Sequence, residues 1–300
     1  MTWVTTPIQV PKRTIRFSDN QIRFVWVTDS HLVDDLGNRD KNLRLAVDDC
    51  NTWLPNAFIH TGDLGDNFLS RIQRSFYNLM NCQRPVYAIK GNHDEYEQVF
   101  GEPNTNSLDE FNTFNRNPFY YTETLSSPDG SWTARCLFLD CNYYDDDPDT
   151  PPPGNSSEHN PGDRIGWSTS EPGGGFWRRF GETQLTWVET TLAADNTSDA
   201  ILVFVHYPPA GVTCTDYASL GTLLTIDGRP TMGFCGHVHP NATSYNLSGI
   251  TFYKNPAMQE SGCWTRVAIS FDGSIQIEEM IIKNYIDPAS WVINTPFTVE

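Results

Sequence analysis

Val86-Tyr87-Ala88-Ile89-Lys90-Gly91-Asn92-His93-Asp94 changes character at its glycine. Before Gly91 it alternates with the rhythm of a strand; after it come an amide, an imidazole and a carboxylate in succession. A glycine there lets the backbone turn sharply and come close to a bound group. The three polar side chains are thus delivered at the end of a buried strand, where open α/β sheets hold their ligands. On its own the tetrapeptide reads first as an ordinary Asx-rich turn. The rest of the chain decides otherwise.

Working outward toward the amino terminus, Ala57-Phe58-Ile59-His60 is a second strand, ending in Thr61-Gly62-Asp63. Ile22 to Val27 is a third, ending in Thr28-Asp29-Ser30-His31, and residues 1–21 form an edge strand or arm. Between these strands lie two helical patterns. Residues 40–54 place Leu43, Ala46, Val47, Cys50 and Leu54 on one face with Asp40 as cap, and residues 67–81 do the same with Phe68, Ile72, Phe76 and Leu79. Strand–helix repetition of this kind predicts a mostly parallel sheet with right-handed crossovers.

Toward the carboxyl terminus, residues 95–117 are a polar, Asn-rich helical or loop segment. Phe119 to Thr122 and Trp132 to Cys141 are strands joined through Ser126-Ser127-Pro128-Asp129-Gly130. A helix over 181–194 leads to the apolar strand Ala200 to Val205, which ends in His206-Tyr207-Pro208-Pro209. A helix over 216–226 leads to Thr231 to Cys235, which ends in Gly236-His237-Val238-His239. Val267–Phe271 and Ser274–Glu278 form a hairpin turning at Asp272-Gly273. Between Asp145 and Gly175, 12 of 31 residues are Gly or Pro, so that segment builds no core of its own. It reads as a surface insertion in a single domain spanning residues 1–300. Its His159, Arg164 and Trp167 suit contact with phosphate or a base, so it is expected to overhang the pocket. The run Asp145-Asp146-Asp147 with Asp149 reads as a solvated loop rather than a calcium site.

The balance of 37 acidic against 20 basic residues, a formal charge of −17, argues against nucleic acid as an obligatory partner. A small anionic substrate remains compatible, because a metal ion reverses the field locally. Neither a signal peptide nor a membrane-spanning stretch is visible, which predicts a cytoplasmic protein with no membrane partner. Seven widely spaced cysteines without a CxxC pair are neither a disulfide framework nor a thiolate zinc site, and read as mostly buried free thiols. The sequons at Asn155, Asn196, Asn241 and Asn246 carry little meaning without a secretion signal.

Five of the seven histidines fall at strand ends, together with Asp29, Asp63 and Asn92. A single histidine is usually structural; His31, His93, His206, His237 and His239 converging on one rim are a different matter. Imidazole, carboxylate and amide donors without thiolate suit manganese, iron, zinc or cobalt. Eight side chains are too many for one tetrahedral ion and fit two ions sharing a carboxylate. Two such ions clamp a phosphoryl group during in-line displacement.

In order, Asp29-X-His31, Gly62-Asp63, Gly91-Asn92-His93-Asp94, His206 and Gly236-His237-X-His239 resemble the signature of the calcineurin-like metallophosphoesterases. The resemblance spans residues 22–240. It implies a four-layer αββα sandwich of two mixed β-sheets flanked by helices, with the late strands in the second sheet. It also implies two divalent metal ions (Mn, Fe, Zn or Co). Asp29, His31, Asp63 and His239 hold one; Asp63 as bridge, Asn92, His206 and His237 hold the other. His93, paired with and oriented by Asp94, stays off the metals and acts on the substrate or leaving group.

Two further blocks, Gly62-Asp63-Leu64-Gly65-Asp66 and His206-Tyr207-Pro208-Pro209, resemble the cyclic-nucleotide and glycerophosphodiester phosphodiesterase branch, as do Gln184-Leu185 and Trp187 at a helix start. Asp66 stands where purple acid phosphatases place a tyrosine, which excludes a tyrosine–iron(III) site. The implied activity is hydrolysis of a small phosphodiester by a hydroxide shared between the metals. The alternatives are a phosphomonoesterase or nuclease on the same core and, in another class, a non-catalytic scaffold of the same fold; the scaffold reading needs missing ligands, and none is missing.

Overall fold

The computed structural model describes residues 19–33, 38–65, 69–94, 98–99, 102–103, 120–141, 180–209, 216–239, 241–284 and 292–293. Strands β1 (Ile22–Val27), β2 (Ala57–His60) and β3 (Val86–Ala88) run parallel and side by side. Helices α1 (Asn38–Trp53) and α2 (Leu69–Leu79) make the crossovers between them. A two-residue ladder, β4 (Gln98–Val99) and β5 (Glu102–Pro103), stands apart. The second sheet begins with β6 (Tyr121–Ser126) antiparallel to β7 (Thr133–Phe138), then adds β8 (Ala200–Phe204) after α3 (Gly181–Ala194) and β9 (Thr231–Cys235) after α4 (Tyr217–Asp227), both parallel. It closes with β10 (Thr243–Leu247) and β11 (Ile250–Lys254), giving the order β10-β11-β9-β8-β7-β6.

After the one-turn helix α5 (Met258–Ser261), the chain returns to the first sheet. There β12 (Cys263–Phe271) lies antiparallel to β1, followed by β13 (Ile275–Asn284) and β14 (Val292–Ile293). The expectation that the late strands form the second sheet thus holds for β10 and β11, whereas β12, β13 and β14 belong to the first. The hairpin at Asp272-Gly273 is present, with Gly273 at φ 100°, but its strands are longer than their local pattern predicts.

Period-2 alternation explains the layering. Phe24 and Trp26 turn inward to meet the second sheet, where Phe138, Phe204 and Phe234 stack with ring centroids 4.9 and 5.3 Å apart. Phe24 and Trp26 meet Phe234 edge-on at 5.1 and 5.2 Å. Such arrangements add to burial through the ring quadrupoles. Val25 and Val27 turn outward, under Leu43, Ala46, Val47 and Cys50 of α1 and Ile72, Phe76 and Leu79 of α2. On the other side Ile201, Val203 and Val205 pack beneath Val188 and Leu192 of α3 and Leu220 and Leu224 of α4. The result is a four-layer αββα sandwich.

Two details of α1 differ from expectation. Leu54 lies past the helix with φ 55° and is 49 % exposed, so it does not extend the apolar face. Asp40 sits inside the first turn rather than capping it; its carboxylate accepts from Asn78 at 2.6 Å and pairs with Arg44 and Arg74. The 145–175 insertion, with His159, Arg164 and Trp167, lies outside the described residues, as do Asp66, Phe68 and residues 1–18. Among the described residues no helix is long and apolar enough to cross a membrane. The six described cysteines are free thiols, five of them buried.

Candidate metal centre

The carboxyl ends of β1, β2, β3, β8 and β9 meet at one rim. The loops after β1 and β2 continue to pair after the strands stop: Asp29 N–H donates to Gly62 O and His31 N–H to Asp63 O, both at 2.9 Å, and Leu32 N–H to Leu64 O at 3.1 Å. To do this, Asp29, His31 and Asp63 adopt left-handed backbone, φ 50°, 41° and 56°. Asp and His tolerate that region better than bulky residues do, though at a cost of about 1 kcal/mol or more each. Gly91 is needed for space: a Cβ there would stand 2.1 Å from Asp63 Oδ1 and 2.4 Å from Asp63 N. At Gly236 the same atom would meet Thr28 Oγ1 at 1.8 Å.

Each of the two aspartates divides its oxygens between anchoring and the centre. Asp29 Oδ2 accepts from Thr28 Oγ1 at 2.6 Å and from His237 N–H at 2.9 Å. Asp29 Oδ1 is enclosed, accepts no hydrogen bond and faces His239 Nε2 at 3.4 Å and His31 Nε2 at 3.8 Å. Asp63 Oδ1 accepts from His93 N–H at 2.8 Å, while Asp63 Oδ2 lies 3.3 Å from both His31 Nε2 and His206 Nε2. His206 Nδ1 lies 2.8 Å from the Thr61 carbonyl, which can only accept and so holds the proton on Nδ1, and Nε2 is aimed at Asp63 Oδ2 and, at 3.2 Å, Asn92 Oδ1. Two oxygens converging on that nitrogen call for positive charge between them, either a proton on Nε2 or a metal ion.

Potential donor atoms thus cluster in three overlapping sets, each within 4.8 Å: Asp29, His31 and His239; His31, Asp63 and His93; and Asp63, His206 and His237. Asp63 and His31 are each shared by two sets. The enclosed Asp29 Oδ1, the doubly faced Asp63 Oδ2 and the all-nitrogen-and-oxygen donor set fit divalent ions of the manganese–zinc range.

Titration follows the same demand for positive charge. Burial opposes ionisation of Asp29 and Asp63, but their imidazole neighbours outweigh it, His239 and His31 for Asp29 and His206 and His31 for Asp63, so both stay well below the usual carboxylate range. Burial also works against a proton on His206, yet Asp63 pushes it up to about 9. His60, beneath the rim with Nε2 2.9 Å from Ser30 Oγ, is brought down to about 3 by burial and stays neutral.

All nine expected site residues lie at this rim, but Asp94 does not do what was expected of it. Its carboxylate accepts from the N–H groups of Leu64 at 2.8 Å, Gly65 at 3.1 Å and Gly91 at 2.9 Å. It therefore pins the β2 loop to the β3 loop instead of orienting His93. Burial and the charge of Asp63 raise it to about 7. The His93 ring packs edge-on against His31 with centroids 4.4 Å apart and keeps partial exposure to solvent.

The structure adds residues that no motif marked. Ala257, Met258 and Gln259 bond through their N–H groups to the carbonyls of His239, Thr28 and Asp29, so this short segment braces the rim from below. From it Glu260 Oε1 reaches His239 Nδ1 at 2.9 Å, beside Gln259 Nε2 at 3.0 Å. The Glu260 carboxylate favours a proton on Nδ1, while the Gln259 amide also lies 3.3 Å from Nε2. Lys90 Nζ pairs with Asp140 Oδ2 at 2.8 Å, both fully buried, and Gln184 holds the Asp140 backbone from both sides.

No curated protein sequence matches the chain. Among solved structures, a dimetal phosphatase from Danio rerio is similar over 88 % of this chain and 95 % of its own, with 16 % identity and a TM-score of 0.60. The GAP50 anchor of the inner membrane complex of Plasmodium is similar over 93 % and 91 %, at 11 % identity and 0.55. The purple acid phosphatase PPD1 from yellow lupin seeds covers 91 % of this chain with 52 % of its own, at 14 % and 0.54. These likenesses speak to the fold. The family model for calcineurin-like phosphoesterases matches residues 22–241, from the first strand through the last histidine of the rim, and the chain belongs to that family.

Proposed function

We propose that this protein hydrolyses small phosphodiesters at a centre of two divalent ions bridged by Asp63. The observation that carries the reading is Asp63 Oδ2, equally 3.3 Å from an imidazole of each donor set. Asp29, His31, Asp63 and His239 would hold one ion, and Asp63, Asn92, His206 and His237 the other. Divalent ions there supply Lewis-acid stabilisation of phosphoryl charge and acidify water. The chain's own groups do the rest. Thr61 O and Glu260 Oε1 favour protons on the outward nitrogens of His206 and His239, so that Nε2 of each would serve for coordination once the Gln259 amide, 3.3 Å from His239 Nε2, gives way. His93, partly exposed and itself grouped with His31 and Asp63, is assigned to the substrate rather than the ions: it would stabilise charge on the phosphoryl oxygens and pass its proton to the leaving alkoxide.

The fold alone does not carry catalysis, since one similar structure is named as an anchor. The gathered donor set does, because a scaffold has no need to enclose carboxylate oxygens facing imidazoles. Preference for diesters rests on the cations. A monoester dianion is held by extra positive side chains, and among the described residues three basic side chains beside the ligand loops are engaged elsewhere: Lys90 pairs with Asp140, Arg39 Nη1 donates to His31 O at 2.7 Å, and Lys254 donates to Val238 O. The charge of −17 disfavours a further negative charge over roughly the 8 Å that salt leaves unscreened. The resemblance of Asp63-Leu64-Gly65-Asp66 and His206-Tyr207-Pro208-Pro209 to the diesterase branch points the same way.

With manganese supplied, kcat/KM for bis(p-nitrophenyl) phosphate should exceed that for p-nitrophenyl phosphate. A clear monoester preference at neutral pH would sink the diesterase assignment and leave the dinuclear centre standing.

A further inference from the structure

At the far end of the first helical layer two cysteine sulfurs stand side by side. Cys50 lies in the last turn of α1 and Cys82 just beyond α2, with their Sγ atoms 3.5 Å apart. Cys50 is fully buried, whereas Cys82 is partly open to solvent. Asn51, the residue after Cys50, grips the other segment on both sides of Cys82: its amide donates to Asn81 O at 3.0 Å, and its Oδ1 accepts from Gln83 N–H at 2.7 Å. Cys82 N–H in turn bonds to Leu79 O at 2.9 Å. The two backbones are thus held in register, and the sulfurs need to approach only from 3.5 Å to a bond length of about 2.05 Å. The contact between the two sulfurs lowers the Cys82 thiol, to about 7, and together with burial raises that of Cys50, so Cys82 is the readier of the two to ionise.

We propose that Cys50 and Cys82 are a reversible redox pair, closed by small-molecule disulfides and reopened by thiols. The Cys82 thiolate attacks one sulfur of the reagent; the reagent's S–S bond breaks, a mixed disulfide forms on Cys82, and one thiolate leaves. Cys50 then gives up its proton to that thiolate and attacks the Cys82 sulfur, which releases the second half of the reagent. Two protein thiols and one small disulfide become one protein disulfide and two small thiols. Cys136, Cys141, Cys235 and Cys263 are buried, so among the described cysteines the reagent meets Cys82 first.

The bond ties residues 32 apart in sequence and joins the ends of α1 and α2. Both helices start just after a ligand loop, so their last turns point away from the metal centre. Closure therefore stiffens the layer without touching the ligands, and the inference is independent of the catalytic reading.

The test uses the full chain, incubated with oxidised glutathione, alkylated, digested without reduction and mapped by mass spectrometry alongside a melting curve. The expected result is one disulfide-linked peptide pair holding Cys50 and Cys82, split by dithiothreitol, with a melting temperature about 4–10 °C above that of the reduced protein. Cys82→Ser should lack both the link and the shift. Cys50→Ala, which removes the buried partner, should leave a glutathione adduct on Cys82. In the unaltered protein, a lasting glutathione adduct on Cys82, full alkylation of both residues, or a link from Cys82 to another cysteine would overturn the pair.

Discussion

The two sheets build their halves of the rim by different means. The first sheet delivers Asp29, His31, Asp63 and Asn92, and three of these four sit in left-handed backbone. Its loops are locked to one another by main-chain bonds and by the Asp94 carboxylate, which gathers three N–H groups. The second sheet delivers His206, His237 and His239, of which only His237, φ 66°, is left-handed. Its imidazoles are aimed mainly by side-chain contacts: His206 on Thr61 O, His239 on Glu260, and the loop between His237 and His239 on Lys254, whose ammonium donates to Val238 O. Main-chain bonds reach both halves: in the second, Gly236 N–H donates to His206 O at 2.8 Å and Ala257 N–H to His239 O at 3.1 Å. The first, however, places most of its ligands in strained backbone, while the second relies more on single contacts to each imidazole. Damage to the first half should therefore cost stability, and damage to the second should change affinity at one ion.

The largest effect falls on the backbone lock. Asp94→Ala leaves three buried N–H groups without an acceptor, at about 1–3 kcal/mol each, so denaturant unfolding of the metal-free protein should show a loss of about 3–6 kcal/mol. Its neighbour sharpens the contrast: His93→Ala should unfold much like the unaltered protein and keep its metal, yet lose about 10²–10⁴-fold in turnover. If the two variants lost stability equally, Asp94 would not be the pin.

A smaller effect belongs to the second half. Glu260→Ala should weaken binding of one of the two ions by about 10–100-fold in calorimetric titration, with the other ion unaffected and Glu260→Gln recovering part of the loss. Because Glu260 is 54 % exposed, stability itself should hardly move. Equal weakening of both ions would dissolve the distinction between the halves.

These same halves explain what the sequence disclosed. Strand ends that finish in Asp-X-His, Gly-Asp, Gly-Asn-His-Asp and Gly-His-X-His are local patterns, and each is read from a few adjacent residues. The helical faces under Val25 and Val27 were equally local, through Leu43, Ala46, Val47 and Cys50. What escaped was long-range. Asp94 follows His93 in the chain, yet its carboxylate points back to Leu64 and Gly65, about 30 residues away, so adjacency misassigned its role. Glu260 stands 21 residues beyond His239 in a segment without a motif or period. The pairing of Ile22 with Ile269 that returns β12 to the first sheet leaves no trace in either strand alone.

The most direct test of the account is a count of metal ions per chain in the unaltered protein and in Asp63→Ala, loaded with manganese and freed of excess. Because Asp63 is read as the ligand common to both ions, the unaltered chain should hold about two ions and the variant neither, with a lower melting temperature for the loaded variant through lost linkage. Full occupancy in Asp63→Ala would contradict the bridged centre on which the proposed chemistry stands.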